Sequence, residues 1–231
     1  MTRTLYRSET PVTLVGGGPV EAGLLDTALR LAPTAVAADG GADVDLPEPH
    51  RFEAVIGDMD SARRLDVLAS KGVPVHRLDE QDNVDLVKCL YSVEAPGYLG
   101  LGFLGGRIDH HMASMNALVK RHLQKVVLVG GEDVCFLCPK DFRIDLPEDA
   151  RVSLLPMAPM RGLRCEGLRW SVEGMDLAPD ARICVSNRAT GGPVRLGFDA
   201  AKAIMVLPAA LVETVTRTLW VSESTGIAGP S

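Results

Sequence analysis

The chain has 231 residues, of which 46 % are apolar and 23 % are charged, a balance typical of globular proteins with a sizeable core. Its formal net charge is −6, which disfavours broad electrostatic binding to nucleic acid or to an anionic membrane surface. The first eleven residues lack the apolar core of a signal peptide, and no apolar run approaches the roughly 20 residues that span a bilayer. We therefore expect a cytoplasmic protein with neither a nucleic-acid nor a membrane partner.

Between residues 13 and 131, short apolar runs alternate with amphipathic runs. The apolar runs predict strands at 13–15, 35–38, 54–56, 73–78, 99–104 and 126–131. The amphipathic runs predict helices at 19–31, 62–71, 86–93 and 111–124. This alternation is typical of a doubly wound, mostly parallel sheet with helices on both faces.

From about residue 146 the pattern changes to short strands separated by Gly, Pro and Asp, predicted at 151–156, 165–172, 181–186, 194–198 and 203–207. The predicted fold class is therefore α/β, with a doubly wound, mostly parallel sheet and a second, smaller all-β domain that is sandwich-like. We predict an α/β nucleotide-binding catalytic domain over residues 1–147, a β-domain over 148–221, and a disordered tail over 222–231.

The five cysteines include a single C-x-x-C pair, Cys135 and Cys138, with no second pair at the spacing of a zinc site. On a strand, residues three apart point to opposite faces. We therefore interpret both cysteines as buried thiols rather than as metal or redox groups.

A glycine loop at residues 16–18 joins the first predicted strand to the first helix, with Pro19 suited to the first helical turn. The dinucleotide fingerprint G-x-G-x-x-G fails because Glu21 occupies its third glycine position, which disfavours an NAD-binding protein. Backbone N–H groups of such a loop, including that of Gly17, can bind phosphate. A plain tight turn has the same residues, and the sequence favours neither interpretation.

Aspartates follow the ends of two neighbouring predicted strands: Asp39 follows the strand at 35–38, while Asp58 and Asp60 follow the strand that ends at Gly57. In open parallel sheets, ligands bind at the carboxyl ends of the strands. An isolated D-x-D is more often a solvated turn, but paired carboxylates are also the usual way to hold Mg²⁺ beside phosphates.

The same placement recurs further along the chain. Asp82 and Asp85 stand where an acidic loop turns into a helix, and Arg107 and Asp109 follow the strand at 99–104. Acids at a helix start are ordinary capping when taken alone. Their repetition at strand ends and helix starts indicates one polar edge of the sheet.

Four motifs together resemble the thiamin pyrophosphokinase family: ADGG at 38–41, IGDMDS at 56–61, QDNVDL at 81–86 and GGRIDH at 105–110. A Ser-Asn pair at 186–187 resembles a further element of that family. The resemblance covers roughly residues 12–207. It implies transfer of a pyrophosphoryl group from ATP to thiamin, giving thiamin diphosphate and AMP, with Mg²⁺ as cofactor. It also implies a homodimer that binds thiamin where two subunits meet.

The resemblance also implies roles for individual residues. Asp58, Asp60 and Asp85 would hold Mg²⁺ and, with Arg107 and Asp109, form the catalytic set. The nucleotide pocket would comprise Asp39, Gln81, Asp82 and Arg107, to which the glycine loop adds Gly17 as a further candidate, and the thiamin site would comprise Ser186 and Asn187. Trp170 is a candidate for stacking on a thiamin ring, although a core tryptophan is an equal interpretation.

Two residues depart from the family pattern. Val84 stands where threonine is common, and Arg188 stands where an acid is frequent in bacterial members. Two other functions use the same motifs: a pyrophosphokinase for another alcohol, such as a hydroxymethylpterin, and a non-catalytic nucleotide-sensing module. Either Asp60 or Asp109 could accept the hydroxyl proton, and the residues leave that choice open.

Overall fold

Ten strands form one continuous sheet in the computed structural model, which describes residues 4–80 and 82–221. In chain order the described strands are β1 (Tyr6–Arg7), β2 (Val12–Val15), β3 (Thr34–Ala38), β4 (Phe52–Gly57), β5 (Val75–Arg77), β6 (Val93–Glu94), β7 (Tyr98–Leu101), β8 (Val126–Gly130), β9 (Asp133–Leu137), β10 (Asp141–Leu146), β11 (Arg151–Pro156), β12 (Met160–Glu166), β13 (Asp176–Leu177), β14 (Cys184–Arg188), β15 (Gly192–Phe198) and β16 (Ala203–Pro208). The described α-helices are α1 (Ala22–Leu31), α2 (Leu65–Ser70), α3 (Asp85–Ser92), α4 (Ile108–Lys120) and α5 (Val212–Val221), and short 3₁₀ helices cover Asp39–Asp43 and Ala209–Leu211.

The parallel half of the large sheet has the order β8-β7-β2-β3-β4-β5. Its strands other than β5 are buried along most of their length, as their apolar sequences require, whereas the edge strand β5 is only partly buried. Ala37 and Val55 pack with α1 residues on one face, while Ala38 and Ile56 pack with α3 and α4 residues on the other. The doubly wound α/β prediction is therefore confirmed.

Four antiparallel strands, in the order β9-β16-β11-β14, continue the large sheet beyond β8. A second antiparallel sheet, β10-β15-β12-β13, shares an apolar core with them. Phe136 on β9 and Phe142 on β10 meet in that core with ring centroids 5.4 Å apart. This arrangement confirms the sandwich-like second region.

The domain boundary near residue 147 stays a prediction, since strands on either side of it pair within both sheets. β9 pairs with β16 in the large sheet, and β10 pairs with β15 in the small one. The apolar sandwich core also receives Val212, Val215 and Leu219 of α5, a helix within the segment predicted as β-domain. The predicted tail at 222–231 lies outside the described residues.

Several predicted element ends shift in the structure. Helix α1 begins at Ala22 rather than at Pro19, because Glu21 still has extended backbone angles. Helix α2 is shorter than predicted, and α4 begins and ends three to four residues before its predicted bounds. The strand predicted at 165–172 is wrong beyond Glu166, since Gly167 has φ +78° and turns the chain out of the sheet.

Cys135 and Cys138 are both buried and belong to different cores: Cys135 packs among residues of α3 and α4, and Cys138 lies in the sandwich core. Burial raises the pKa of the Cys135 thiol to about 12. The interpretation of these residues as buried thiols is confirmed. Among the residues described, no helix is long and apolar enough to cross a membrane.

We expect Phe136→Ala to lower the free energy of unfolding by about 3–5 kcal/mol, because Phe136 is fully buried between the two sheets and its loss leaves a cavity. Urea denaturation followed by far-UV circular dichroism measures the change. Leu123→Ala is the control: Leu123 is 88 % exposed, and its truncation should change the same quantity by less than about 0.5 kcal/mol. Equal effects of the two substitutions would contradict the packing assigned to Phe136.

Candidate active site

Three carboxylates converge at the carboxyl edge of β3 and β4. Asp39, Asp58 and Asp60 each place an oxygen within 4.8 Å of the others. Asp39 begins the 3₁₀ helix after β3, and the other two follow β4 directly. Asp39 was expected in the nucleotide pocket, and the structure brings it into the same cluster as the D-x-D pair.

Two unusual backbone conformations bring these carboxylates together. Asp39 has φ +42° and Met59, between Asp58 and Asp60, has φ +66°. Non-glycine residues rarely adopt this left-handed region, and each such residue costs of order 1–3 kcal/mol. The chain turns at Met59, just after the end of β4. The directions of the Asp58 and Asp60 side chains are therefore not those that a continuing strand would give. Such strain is common where a site holds side chains in one required geometry.

Asp39 is the most buried member of the cluster, with 2 % of its surface exposed. Its Oδ2 accepts a hydrogen bond from the Ser61 backbone N–H at 3.2 Å, whereas its Oδ1 is buried and has no hydrogen-bond partner among the described residues. Burial, and then the charge of Asp85, raise the pKa of the Asp39 carboxyl. A buried oxygen of this kind needs a partner, which can be a hydrogen-bond donor such as water, a proton or a cation.

Lys88 is a buried cation beside this cluster that the sequence reasoning missed. Its side chain is 2 % exposed, and its Nζ donates to Asp58 Oδ2 at 2.8 Å and to Asp85 Oδ1 at 3.3 Å. The hydrogen bond from Lys88 is the main reason that the pKa of Asp58 is lowered. Burial by itself would lower the pKa of Lys88, but the bonds and charges of Asp58 and Asp85 outweigh it and raise that pKa.

Asp85 is the first residue of α3, where the positive end of the helix dipole favours an acid. Its pKa is nevertheless raised, mainly by burial, against the lowering effect of Lys88. Asp85 lies outside the triad of oxygens within 4.8 Å. Val84, the residue before it, caps the helix without a side-chain hydrogen bond.

Glycine residues, among them Gly18, Gly41 and Gly102, line the carboxyl edge of the sheet between β7 and β4, and we call this surface the glycine floor. A Cβ on Gly41 would lie 1.9 Å from the Val15 carbonyl oxygen, and one on Gly18 would lie 2.6 Å from the Gly102 oxygen. No side chain fits at either position without a shift of the backbone. The Gly16 and Gly18 N–H groups donate to Leu101 and Gly102 carbonyls, so neither is available to phosphate in this conformation. Gly17 lies exposed between them.

Arg107 and Asp109 stand at the start of α4, following β7. The guanidinium binds the carboxylate through two bonds, Nε to Oδ1 at 3.1 Å and a terminal nitrogen to Oδ2 at 2.6 Å. Both side chains are exposed, at 72 % and 60 %. The hydrogen bond from Arg107 lowers the pKa of Asp109 to about 2. Asp82 is exposed in the loop before α3, and Gln81 lies outside the described residues.

A pocket of ≈ 220 Å³ opens in the antiparallel region, lined by Trp170, Asn187, Met175, Ile183 and Val185 among others. Asn187 is buried and holds the backbone of Trp170: its Oδ1 accepts from the Trp170 N–H at 3.2 Å, and its Nδ2 donates to the Trp170 carbonyl at 2.7 Å. The indole is 57 % exposed, so a core tryptophan is not what the structure shows. Ser186 is exposed with φ +58°.

Two family models match these two regions separately. The model described as "Thiamin pyrophosphokinase, catalytic domain" matches residues 25–129, which include the carboxylate cluster, Lys88 and Arg107. The model described as "Thiamin pyrophosphokinase, vitamin B1 binding domain" matches residues 141–202, which include the tryptophan pocket. The chain belongs to the thiamin pyrophosphokinase family.

Individual relatives agree with this family membership. Thiamine pyrophosphokinase 1 of Oryza sativa subsp. japonica is 29 % identical over 198 residues, covering 71 % of this chain and 75 % of its own length. Thiamine pyrophosphokinase 1 of Arabidopsis thaliana is 30 % identical over 158 residues, covering 60 % and 58 %. The thiamin pyrophosphokinase structure from Candida albicans superimposes with TM-score 0.72 at 17 % identity, over 87 % of this chain and 89 % of that one. This last likeness supports the thiamin pyrophosphokinase fold alone.

We expect Asp39→Asn to raise the melting temperature of the metal-free protein at pH 7 by about 2–4 °C, the shift that about 1 kcal/mol produces in a chain of this size. A carboxylate with a raised pKa destabilises the fold above that pKa, and the amide removes the buried charge. For the same reason, the wild-type protein should gain stability as the pH falls from 7 through the raised pKa values of Asp39 and Asp85, and the variant should gain less.

The same substitution should abolish or sharply reduce any rise in melting temperature on adding Mg²⁺, since one of the three converging oxygens is lost. Differential scanning fluorimetry with and without Mg²⁺ measures both effects. Asp26→Asn is the matched control, because Asp26 is an exposed acid on α1. An unchanged Mg²⁺ response in Asp39→Asn would remove Asp39 from the cation-binding set.

Proposed function

We propose that this chain transfers the pyrophosphoryl group of ATP to the hydroxyl group of thiamin, giving thiamin diphosphate and AMP, and that it uses Mg²⁺. One observation carries the proposal: an unpartnered, buried Asp39 oxygen converges with Asp58 and Asp60 inside the region that matches the family's catalytic domain. The glycine floor and Arg107 lie along the same edge of the sheet.

The residues present fit a divalent cation. Hard cations take oxygen ligands, and Mg²⁺ is usually held by one or two carboxylates together with substrate phosphates. Asp39, Asp58 and Asp60 would hold it, and the family resemblance adds Asp85. When bound, such an ion neutralises charge that develops on phosphate oxygens.

The protein's own contribution is to position the triphosphate. The glycine loops after β2 and β3 leave the edge without side chains, so phosphates can approach the backbone closely. Arg107 can offer its planar group to phosphate oxygens in place of the Asp109 carboxylate that it now binds. We propose nucleotide contacts for Gly17, Asp39, Asp82 and Arg107.

In the reaction, the thiamin hydroxyl oxygen bonds to the β-phosphorus, and the bond from that phosphorus to the α–β bridging oxygen breaks, so that AMP leaves. The hydroxyl proton passes to a carboxylate. Arg107 lowers the pKa of Asp109 to about 2 while the two side chains are paired, and transfer of the guanidinium to phosphate would remove that effect. Asp60 and Asp109 therefore both stay candidate proton acceptors.

We assign the tryptophan pocket to thiamin. Trp170 presents a largely exposed ring that can stack on an aromatic heterocycle, and Asn187 fixes its backbone. Ile183 and Val185 beside it are also exposed, which supports cover by a second subunit in a homodimer. Direct contacts from Ser186 and Asn187 to thiamin, the homodimer and the cytoplasmic location remain predictions.

With Mg²⁺, ATP and thiamin, the purified protein should release AMP and not ADP. Chromatography of the nucleotides and mass spectrometry of the thiamin product identify both products in one reaction. ADP together with thiamin monophosphate would overturn the proposed bond cleavage. Turnover with a hydroxymethylpterin but not with thiamin would favour another acceptor, and ATP binding without any product would favour a nucleotide-sensing module.

Trp170→Ala should raise the KM for thiamin by about three- to tenfold while leaving the KM for ATP within about twofold, because stacking of one aromatic ring is worth about 0.5–1.5 kcal/mol. The indole is mostly exposed, so the fold should persist. Leu163→Ala, at an exposed position on the neighbouring strand β12, is the control. A thiamin KM that does not move would place the acceptor elsewhere.

A further inference from the structure

Lys88 is buried in the middle of an apolar helical segment. The neighbours Leu86, Val87, Cys89 and Leu90 are all buried, and the lysine itself is among the largest fully buried side chains of the described residues. Burying an ammonium group is costly unless it is paired and hydrogen-bonded. Its two partners are Asp58, at the end of β4, and Asp85, one turn earlier on α3.

We propose that Lys88 is a positioning residue for the cation site: it serves as a built-in cation that holds Asp58 in place and balances the carboxylates before any metal arrives. The inference rests on the proposed Mg²⁺-dependent function. Asp58 Oδ2 is committed to Lys88, so this lysine sets which way the carboxylate faces toward Asp39 and Asp60.

If Lys88 balances these carboxylates, its removal should have two measurable effects, one on metal-free stability and one on metal affinity. Four carboxylates lie in or beside the cluster: Asp39, Asp58, Asp60 and Asp85. Without Lys88 they repel one another more strongly, and the metal-free protein loses stability. A fixed positive charge next to a divalent cation also repels that cation, so removing Lys88 should strengthen metal binding.

A purely structural lysine would behave differently. Its loss would lower the melting temperature by the same amount with and without metal, and would not tighten metal binding. Lys125 offers such a comparison, because it is a half-buried lysine whose Nζ donates to the Trp220 carbonyl at 3.1 Å. It directly precedes β8, at the amino ends of the parallel strands, whereas the acidic cluster lies at their carboxyl ends.

The test compares Lys88→Met with Lys125→Met in the absence of ATP and thiamin. Isothermal titration with Mn²⁺ measures affinity, and melting with and without Mg²⁺ measures the metal-dependent stability. For Lys88→Met we expect about tenfold tighter Mn²⁺ binding, a lower metal-free melting temperature, and a larger rise with Mg²⁺ than in the wild-type protein. With substrates, kcat should fall at least about tenfold, because Asp58 loses the hydrogen bond from Lys88 that orients its Oδ2. Lys125→Met should leave Mn²⁺ affinity unchanged.

Mn²⁺ binding that stays equal or weakens in Lys88→Met, with the same loss of melting temperature at both metal concentrations, would overturn the proposal. If Lys88→Met does not fold without metal, the double variant Lys88→Met/Asp85→Asn keeps the cluster's net charge and provides the second test. It should regain metal-free stability relative to Lys88→Met, because one carboxylate charge leaves together with the lysine charge. Failure to regain stability would also overturn the proposal. Because these readouts omit ATP and thiamin, a wrong acceptor would leave them unchanged.

Discussion

Repulsion among carboxylates at one edge of the sheet is the constraint on which the site depends. Asp39, Asp58 and Asp60 are brought together by the ends of two adjacent parallel strands, and Asp85 joins them from the start of α3. Unpaired acids at such distances would force the loops apart or take up protons. Lys88 offsets part of this repulsion from inside the fold and links β4 to α3.

The doubly wound sheet explains why these groups share one edge. Strands β7, β2, β3 and β4 are neighbours and parallel, so the loops that follow them form a continuous row. The middle of that row is glycine, and its ends carry Arg107 on one side and the acids on the other. A polyanion bound along this row would contact glycine backbone at its centre. It would meet the positive charge of Arg107 at one end and the negative charges of the acids at the other.

Much of this could be predicted from the sequence, because strand periodicity and strand-end acids are local signals. Asp39, Asp58 and Asp60 were placed correctly at strand ends, but their convergence depends on positive φ values at Asp39 and Met59, which no propensity for aspartate or methionine indicates. Lys88 was missed although it carries a signal: a lysine inside the apolar run LVKCL, three residues after an acid on a helix. The Asn187 side chain binds the Trp170 backbone across seventeen residues of sequence, so this contact needed the tertiary structure.

β16 is the last strand described along the chain, yet it lies inside the large sheet, between β9 and β11. During synthesis, neither β9 nor β11 can therefore pair with β16 until residues 203–208 have left the ribosome. During that interval both strands present unpaired N–H and C=O groups, the feature that promotes wrong pairing between nascent chains. Dependence on chaperones should consequently be greatest late in synthesis, after the parallel half has already formed.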